Sequence, residues 1–217
     1  MNILLISSSP HKTRSQTFLL AKELIKGVDS SVKKEVIHLC DHRIEFCRHC
    51  ERCHEKILQC PIKDDVRSML EKMLDADGII LATPNYINQV TASTKALFDR
   101  SSHFIHCKRL LGKYVAGVVS SGSGQDREVL DYIKYYSHTC GAQYVGRVSS
   151  VAPIRDDKKK EVFNLGQTLT AAIKDKKSFP EQIKIIEEGK EHFKRIIKMR
   201  KNTWVEEYQY WKDKGWL

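Results

Sequence analysis

The sequence lacks any apolar run long enough to cross a membrane. Hydrophobic residues make up 41% of its 217 residues, but none of their runs approaches the roughly 18 positions that a bilayer-spanning helix needs. The opening residues enter a strand-like apolar run directly, without the charged and apolar regions of a secretory leader. We therefore expect a cytoplasmic protein that does not associate with membranes.

Several motifs of nucleotide-binding and hydrolytic enzymes are also missing. Neither the phosphate-binding pattern Gly-x4-Gly-Lys-Ser/Thr nor the dinucleotide-binding pattern Gly-x-Gly-x2-Gly occurs. No serine–histidine–aspartate order and no pair of carboxylates indicates a catalytic site. If the chain is an enzyme, we expect its chemistry to be carried by a cofactor rather than by a side-chain nucleophile.

Acidic residues are too few to balance the basic ones. The chain has 27 aspartates and glutamates against 37 lysines and arginines, which gives a formal net charge of +10 at pH 7. The excess is densest at 158–160, 174–177 and 194–201, in segments that we expect to be surface helices. No nucleic-acid-binding module accompanies it, so nucleic acid is not an expected partner. The runs indicate either a solvated surface or a docking face for an acidic redox partner such as a ferredoxin.

The sequence does contain a regular alternation of strand and helix patterns. Five short apolar runs, at Asn2–Ser7, 35–39, 78–82, 114–119 and 143–148, alternate with amphipathic segments. This alternation predicts an α/β fold with a doubly wound, five-stranded parallel sheet and right-handed crossovers.

The same pattern divides the chain into a main domain and a C-terminal extension. We expect residues 1–175 to form the sheet domain, with a cysteine-rich insert at 40–62, and residues 176–217 to add a helix and an aromatic tail. Five aromatic residues crowd that tail: Trp204, Tyr208, Tyr210, Trp211 and Trp216. Aromatic side chains at this density tend to be buried, so the tail packs either on the core of its own chain or in a subunit interface.

Three predicted loops leave the carboxyl ends of strands one, three and four, which is the edge at which open α/β sheets bind ligands. The first loop, 8–17, is rich in hydroxyl groups and leads into a helix N-terminus, which favours a phosphate group. The second contains Pro84-Asn85-Tyr86, and the third, 120–124, has glycines that permit close backbone approach. Together they favour a mononucleotide with a planar ring, whereas the hydroxyls of the first loop alone could simply cap a helix.

The seven cysteines point to metal or redox chemistry, because a cytoplasmic chain of this size needs no disulfides. Four of them form a compact run with spacings x2, x2 and x6, followed by a proline: Cys47, Cys50, Cys53 and Cys60. Ferredoxin-type [4Fe–4S] runs share the repeated two-residue spacing and the proline. The alternatives are a structural zinc site, to which His49 or His54 would contribute, and thiols without metal. The other three are expected to be ordinary buried side chains: Cys40, Cys107 and Cys140.

These segments resemble the NADPH-dependent FMN reductase branch of the flavodoxin-like proteins, and the cysteine run resembles the iron–sulfur flavoproteins within that branch. The resemblance covers about residues 1 to 150 and is carried by Ser8-Ser9-Pro10-His11-Lys12 with Ser15-Gln16-Thr17, by Thr83-Pro84-Asn85-Tyr86 and by Lys95-Ala96-Leu97-Phe98-Asp99-Arg100. It implies bound FMN, the strand order 2-1-3-4-5, and a homodimer or homotetramer. The FMN-binding residues that it implies are Ser9, His11, Ser15, Gln16, Thr17, Thr83, Pro84, Asn85, Tyr86, Ile87, Asn88, Ser120, Ser121, Gly122 and Gly124.

The resemblance also implies a role for each group of residues. The phosphate would contact the first loop at Ser9, Ser15, Gln16 and Thr17. The isoalloxazine ring would be bordered by Pro84, Asn85, Tyr86 and Asn88, with Ser121 and Gly122 on its other flank. A [4Fe–4S] cluster would be held by the four cysteines of the run at 47–60. The sequence departs from the family at Ser8, where glycine is common, and at Arg14, where a smaller residue is common.

The sequence therefore predicts an FMN-dependent oxidoreductase that transfers electrons between a [4Fe–4S] cluster and FMN, with NAD(P)H or a ferredoxin as its redox partner. Two other hypotheses stay open. One is a cluster-free FMN or quinone reductase that uses NAD(P)H. The other is a non-catalytic flavodoxin-like binding module with a structural zinc. Asp64-Asp65 is interpreted as a helix start and Asp99-Arg100 as a structural or interface ion pair.

Overall fold

The computed structural model describes residues 1–217 as a central sheet covered by helices on both faces. The strands are β1 Asn2–Ser7, β2 Lys33–His38, β3 Gly78–Pro84, β4 Tyr114–Ser121 and β5 Gln143–Val151. The helices of the first half are α1 Gln16–Gly27, α2 Arg52–Glu55, α3 Val66–Asp75, α4 Ala92–Arg100 and α5 Ser102–His106. Those of the second half are α6 Arg127–Thr139, α7 Asp156–Lys174, α8 Pro180–Met199 and α9 Val205–Asp213.

All neighbouring strands of the sheet run parallel, in the order β2-β1-β3-β4-β5. This confirms the predicted doubly wound, flavodoxin-like sheet. Strand β4 is buried along its whole length and β3 along all but its last residue. Central parallel strands covered by helices on both faces are apolar throughout, which is why these runs were recognisable in the sequence.

Two hydrophobic layers hold the helices to the sheet. One layer packs α1 and α7 against one face, with Leu20, Leu24 and Leu169 fully buried. The other packs α3, α4 and α6 against the opposite face, with Met73 and Leu97 fully buried. Burial of each such side chain stabilises the fold by about 1.5 to 3 kcal/mol. The sheet is therefore a firm support for the loops at its edge.

Helices α1 and α7 approach each other closely through two glycines. A Cβ atom added to Gly27 would lie 2.0 Å from the carbonyl oxygen of Phe163, and one added to Gly166 would lie 2.1 Å from that of Leu24. Side chains do not tolerate such contacts with backbone atoms, so only glycine permits this packing. The packing fixes the direction of α1, the helix that follows the first loop.

The C-terminal extension packs on its own chain, which is the first of the two arrangements expected for the aromatic tail. Gln182 of α8 joins the edge strand β5, because its side chain accepts from the backbone N–H of Tyr144 at 2.6 Å and donates to the carbonyl of Tyr144 at 2.9 Å. Farther along, Trp204 and Trp211 are buried, Trp211 completely. The tail thereby covers α2 and α5 of the same chain.

The three cysteines outside the run differ in their burial. Cys107 and Cys140 are buried as expected, but the expectation for Cys40 is wrong: this residue is exposed, since it lies in a surface turn after β2, and its thiol reaches the carbonyl of Ser9 at 3.6 Å.

None of the helices combines the length and the apolar character that a bilayer crossing requires.

Candidate functional site

The first loop joins the buried end of β1 to the N-terminus of α1. Ser15 is the N-cap of this helix: its hydroxyl oxygen accepts from the N–H of Phe18 at 3.0 Å and its hydroxyl donates to the carbonyl of Lys12 at 2.8 Å. Ser15 therefore caps α1. The positive end of the helix dipole and the remaining free N–H groups of the first turn point toward the loop. Such a helix end binds anions, phosphate above all.

Of the two departures from the family in this loop, Ser8 is buried and Arg14 is exposed. Ser8 and Ser9 are both buried, and Ser8 bonds through its backbone N–H to the carbonyl of Ala82 at 3.0 Å. The serine at position 8 thus fits where the family commonly has glycine. His11 and Arg14 lie exposed on the outer side of the loop.

Thr17 links the first loop to the third. Its side chain, which is 1% exposed, forms a hydrogen bond of 2.6 Å with the hydroxyl of Ser120 at the end of β4. The two residues are 103 positions apart in the sequence. The structure therefore brings together the first and third predicted loops at one edge of the sheet.

The second loop is held to the third by Asn85. Its backbone N–H donates to the carbonyl of Ser120 at 2.8 Å, and its side-chain amide donates to the carbonyl of Gln125 at 2.6 Å. The amide oxygen of Asn85 is buried without a hydrogen-bond partner. Because a buried polar atom needs a partner, this oxygen fits a ligand that offers an N–H group, as a flavin does.

Thr83 stabilises the backbone of the second loop, and Gln125 holds the side chains of Asn85 and Asn88 in place. The hydroxyl of Thr83 donates to the carbonyl of Pro84 at 3.0 Å and accepts from the N–H of Thr91 at 3.3 Å. Gln125 receives bonds from Asn85 and, at 3.3 Å, from the side chain of Asn88. The sequence patterns missed Gln125, although its place directly after the glycine-rich loop was a usable signal.

The tip of the second loop presents apolar surface outward. Ile87 is 99% exposed and Tyr86 is 49% exposed. Ile87 and Asn88 both have positive φ angles, 52° and 55°, which is an uncommon conformation for a β-branched residue such as isoleucine. Residues with such strained backbone angles are found most often in loops that contact ligands or partner chains.

The third loop leaves open space above its backbone. The N–H of Gly124 donates to the hydroxyl of Ser121 at 2.9 Å, and Gly124 has a φ angle of 76° that favours glycine. A Cβ atom added to Gly122 would meet no atom within 4 Å. A flat ring can therefore approach this loop closely, so all three loops suit a flavin mononucleotide.

The cysteine run forms a second, separate site between β2 and α3. Its four members line one small cavity: Cys47, Cys50, Cys53 and Cys60. The segment turns tightly around it, because His49 and Glu51 adopt left-handed backbone conformations with φ angles of 48° and 58°. None of the four thiols takes part in a disulfide.

Hydrogen-bond donors surround these sulfur atoms. The backbone N–H of His49 donates to the sulfur of Cys47 at 3.4 Å, and the guanidinium of Arg100 donates to that of Cys60 at 3.3 Å. Donors and positive charge beside thiolates stabilise the sulfur ligands of an iron–sulfur cluster. Four free thiols around one cavity with such neighbours fit a [4Fe–4S] group.

Arg100 is fixed by a buried ion pair that the sequence did not reveal. Its guanidinium donates to both carboxylate oxygens of Asp64, at 2.6 and 3.0 Å. Burial would raise the pKa of Asp64, but the bonds from Arg100 and from the N–H of Glu45 outweigh it and lower that pKa. The interpretation of Asp99-Arg100 as an ion pair is therefore wrong, because Asp99 pairs with Lys95 one helical turn away.

The C-terminal tail closes over the cysteine run through a buried carboxylate. Glu207 is fully buried and accepts from Nδ1 of His54 at 2.7 Å and from Nδ1 of His106 at 3.1 Å. Burial would lower the pKa of His54, but the hydrogen bonds with Cys53 and Glu207 outweigh it and raise that pKa to about 10. His54 therefore carries a positive charge at neutral pH and forms an ion pair with Glu207.

We expect Glu207→Gln to destabilise the tail by about 3 kcal/mol, because the substitution leaves a buried imidazolium facing an amide. Denaturant unfolding followed by tryptophan fluorescence measures this directly, since Trp204 and Trp211 lie in the tail. Glu191→Gln, whose side chain is 66% exposed on α8, is the matched control. Equal midpoints for both variants and the unmodified chain would show that the buried pair does not hold the tail.

The fold is flavodoxin-like, its three loops suit a mononucleotide, and comparison with known proteins identifies the family. The model of the NADPH-dependent FMN reductase family matches residues 1–156. An iron–sulfur flavoprotein of Archaeoglobus fulgidus is 28% identical over 220 residues, which cover 98% of each chain. An iron–sulfur flavoprotein of Methanocaldococcus jannaschii is 35% identical over 132 residues, which cover 59% of this chain and 68% of the relative.

A solved structure gives the same fold. The apo form of the NADH:FMN oxidoreductase EMOB superimposes with a TM-score of 0.62 at 23% identity, covering 83% of this chain and 92% of that one. The chain thus belongs to the NADPH-dependent FMN reductase family, among relatives that are named iron–sulfur flavoproteins. It is a flavin-dependent oxidoreductase with FMN as its cofactor.

Proposed function

We propose that this oxidoreductase transfers electrons between FMN, bound by the three loops of residues 1–175, and a [4Fe–4S] cluster held by the cysteine run. The observation that carries the proposal is the single cavity lined by all four cysteines of the run. When bound, FMN exchanges hydride or single electrons and the cluster exchanges one electron at a time, so the pair divides two-electron chemistry into single steps.

The residues of the three loops bind and orient the flavin. We propose that the capped N-terminus of α1, together with Ser9, Gln16 and Thr17, holds the phosphate. The unpartnered amide oxygen of Asn85 would accept a hydrogen bond from an N–H group of the ring, and the remaining predicted residues of the second and third loops would border the ring. These are Thr83, Pro84, Tyr86, Ile87, Asn88, Ser120, Ser121, Gly122 and Gly124, whereas Ser15 and His11 belong to the first loop, where Ser15 would contact the phosphate.

The residues around the cysteine run keep the cluster bound and set its potential. Arg100 and the N–H of His49 donate to two of the sulfur atoms, and such bonds favour the more negative, reduced state of an iron–sulfur cluster. The extension of residues 176–217 covers this site through Trp204, whose indole N–H donates to Glu51 at 3.1 Å. The tail thus packs beside the run, in which Cys47 and Cys50 are exposed.

NAD(P)H is the electron donor that the family name favours. The net charge of +10, with its basic excess densest at 158–160, 174–177 and 194–201, supports a ferredoxin as a second donor, since an acidic protein would be attracted to it. The outward-facing Ile87 supports a homodimer or homotetramer, in which a neighbouring chain would cover this apolar side chain.

An anaerobic titration with dithionite tests the proposal. We expect the protein to take up about three electron equivalents per chain, two at the resolved flavin bands and one at a broad iron–sulfur absorption. Uptake of two equivalents, all at the flavin bands, would instead support the cluster-free reductase. No electron uptake at either absorption, together with zinc in a metal analysis of the same sample, would support the non-catalytic binding module.

A further inference from the structure

A second cavity lies apart from the three loops, is bordered by α4, α5, α6 and α8, and opens to solvent. Its volume is about 410 Å³, within the range of small-molecule sites. None of its lining residues belongs to the first, second or third loop. It is next to the cysteine run, because Asp99 lines both cavities.

Aromatic rings form much of the wall of this cavity. Phe98 stacks on Tyr136 with a centroid separation of 3.6 Å and an interplanar angle of 6°, and Tyr132 lies 6.0 Å from Phe98. Phe193 of α8 contributes a further ring. Because aromatic rings favour offset stacking and edge contacts with one another, this wall suits a planar aromatic ligand.

Lys108 supplies a buried positive charge at the same cavity. It is 1% exposed, and its ammonium donates to the carbonyl of Thr139 at 2.9 Å and lies 5.2 Å from the ring centroid of Phe193. Glu187, which attracts Lys108 at longer range, is engaged by Lys190 instead. The ammonium therefore has no carboxylate of its own, an expensive arrangement for a buried charge.

The backbone around Lys108 is shaped to keep this amine in place. Lys108 has a φ angle of 45°, a left-handed conformation that is uncommon for lysine. Residues in such conformations are found most often at functional sites. Gly189 of α8 faces the amine, and a Cβ atom added there would lie 3.0 Å from Nζ. Burial lowers the pKa of Lys108 to about 8, so the amine is still mostly charged at neutral pH.

From these features we propose that the cavity is a second ligand site, which binds a small aromatic carboxylate with its ring on the aromatic wall and its anion on Lys108. The carboxylate supplies the counter-ion that Lys108 lacks, and the ring fills the apolar part of the cavity. The proposal concerns a site separate from FMN and does not depend on a cluster being bound.

Calorimetry with 2-naphthoate and its neutral amide, on the FMN-containing full chain, tests the charge requirement. We expect one saturable site for 2-naphthoate, with the amide weaker by about 10-fold or more, because a charge-assisted hydrogen bond is lost. The visible spectrum of the flavin should stay unchanged on binding. Equal affinity for acid and amide, or a spectral change that shows binding at the flavin, would overturn the proposal.

Two variants and one control variant locate the site. Lys108→Met should weaken 2-naphthoate by about 10-fold or more without weakening the amide, whereas Lys134→Met, at an exposed position of α6, should change neither. Gly189→Leu retains Lys108 and favours the helix, but its side chain fills the cavity and should abolish binding of both probes. Unchanged binding of 2-naphthoate by Gly189→Leu would overturn the assignment even if Lys108→Met failed to fold.

Discussion

A chain with Cys50→Ala is expected to lose the four iron atoms of the proposed cluster while retaining FMN. Cys50 is one of the four thiols around the cavity of the cysteine run, and a [4Fe–4S] cluster needs all four. Because Cys50 is exposed, its replacement removes no buried packing and leaves the fold intact. Iron, sulfide and flavin analyses of the anaerobically purified variant measure the effect.

Cys40→Ala is the matched control for this variant. Cys40 is also exposed, lies just before the run, and is not one of the residues that line the cavity. We expect it to retain the iron, sulfide and FMN of the unmodified protein. Four iron atoms per chain in Cys50→Ala, or equal losses in both variants, would contradict the assignment of the cluster to the run.

The second large effect concerns FMN. Ser15→Asp should weaken FMN binding by at least about 100-fold, because two like charges about 4 Å apart repel by about 4 kcal/mol at an effective dielectric constant of 20. Aspartate caps helices as well as serine does and is favoured at a helix N-terminus. The stability of the FMN-free protein should therefore change little, although the bond from the Ser15 hydroxyl to the carbonyl of Lys12 is lost. Flavin fluorescence titration and thermal unfolding of the FMN-free chain measure the two quantities.

Ser15→Asn separates charge from capping in this experiment. Asparagine has nearly the shape of aspartate and caps helices equally well, but it carries no charge. We expect it to weaken FMN binding far less than aspartate does. If the two variants bound FMN equally, the phosphate would not lie at the N-terminus of α1.

Much of the fold could be predicted because burial on both faces leaves a visible pattern in the sequence. The strand 78–82 and the strand 114–119 are apolar at almost every position, and the structure has them at the centre of the sheet as Gly78–Pro84 and Tyr114–Ser121. The loops that follow parallel strands necessarily meet at one edge. That edge now joins Thr17 to Ser120 and Asn85 to Gln125.

The supports of the cysteine run could not be predicted, because they come from distant parts of the chain. Glu207 is 153 positions from His54, and Asp64 is 36 positions from Arg100. Glu206-Glu207 in an aromatic tail gives no sign of a buried ion pair until the tail is folded back. The error at Asp99-Arg100 has the same origin, since adjacent helical residues point in different directions and pair elsewhere.

The central claim is that one chain carries both FMN and a [4Fe–4S] cluster, and its most direct test is the composition of the protein purified without oxygen. We expect about four iron atoms, four sulfides and one FMN per chain, with no stoichiometric zinc. FMN without iron and sulfide, or zinc in their place, would contradict the claim and leave an FMN reductase whose four cysteines serve another purpose.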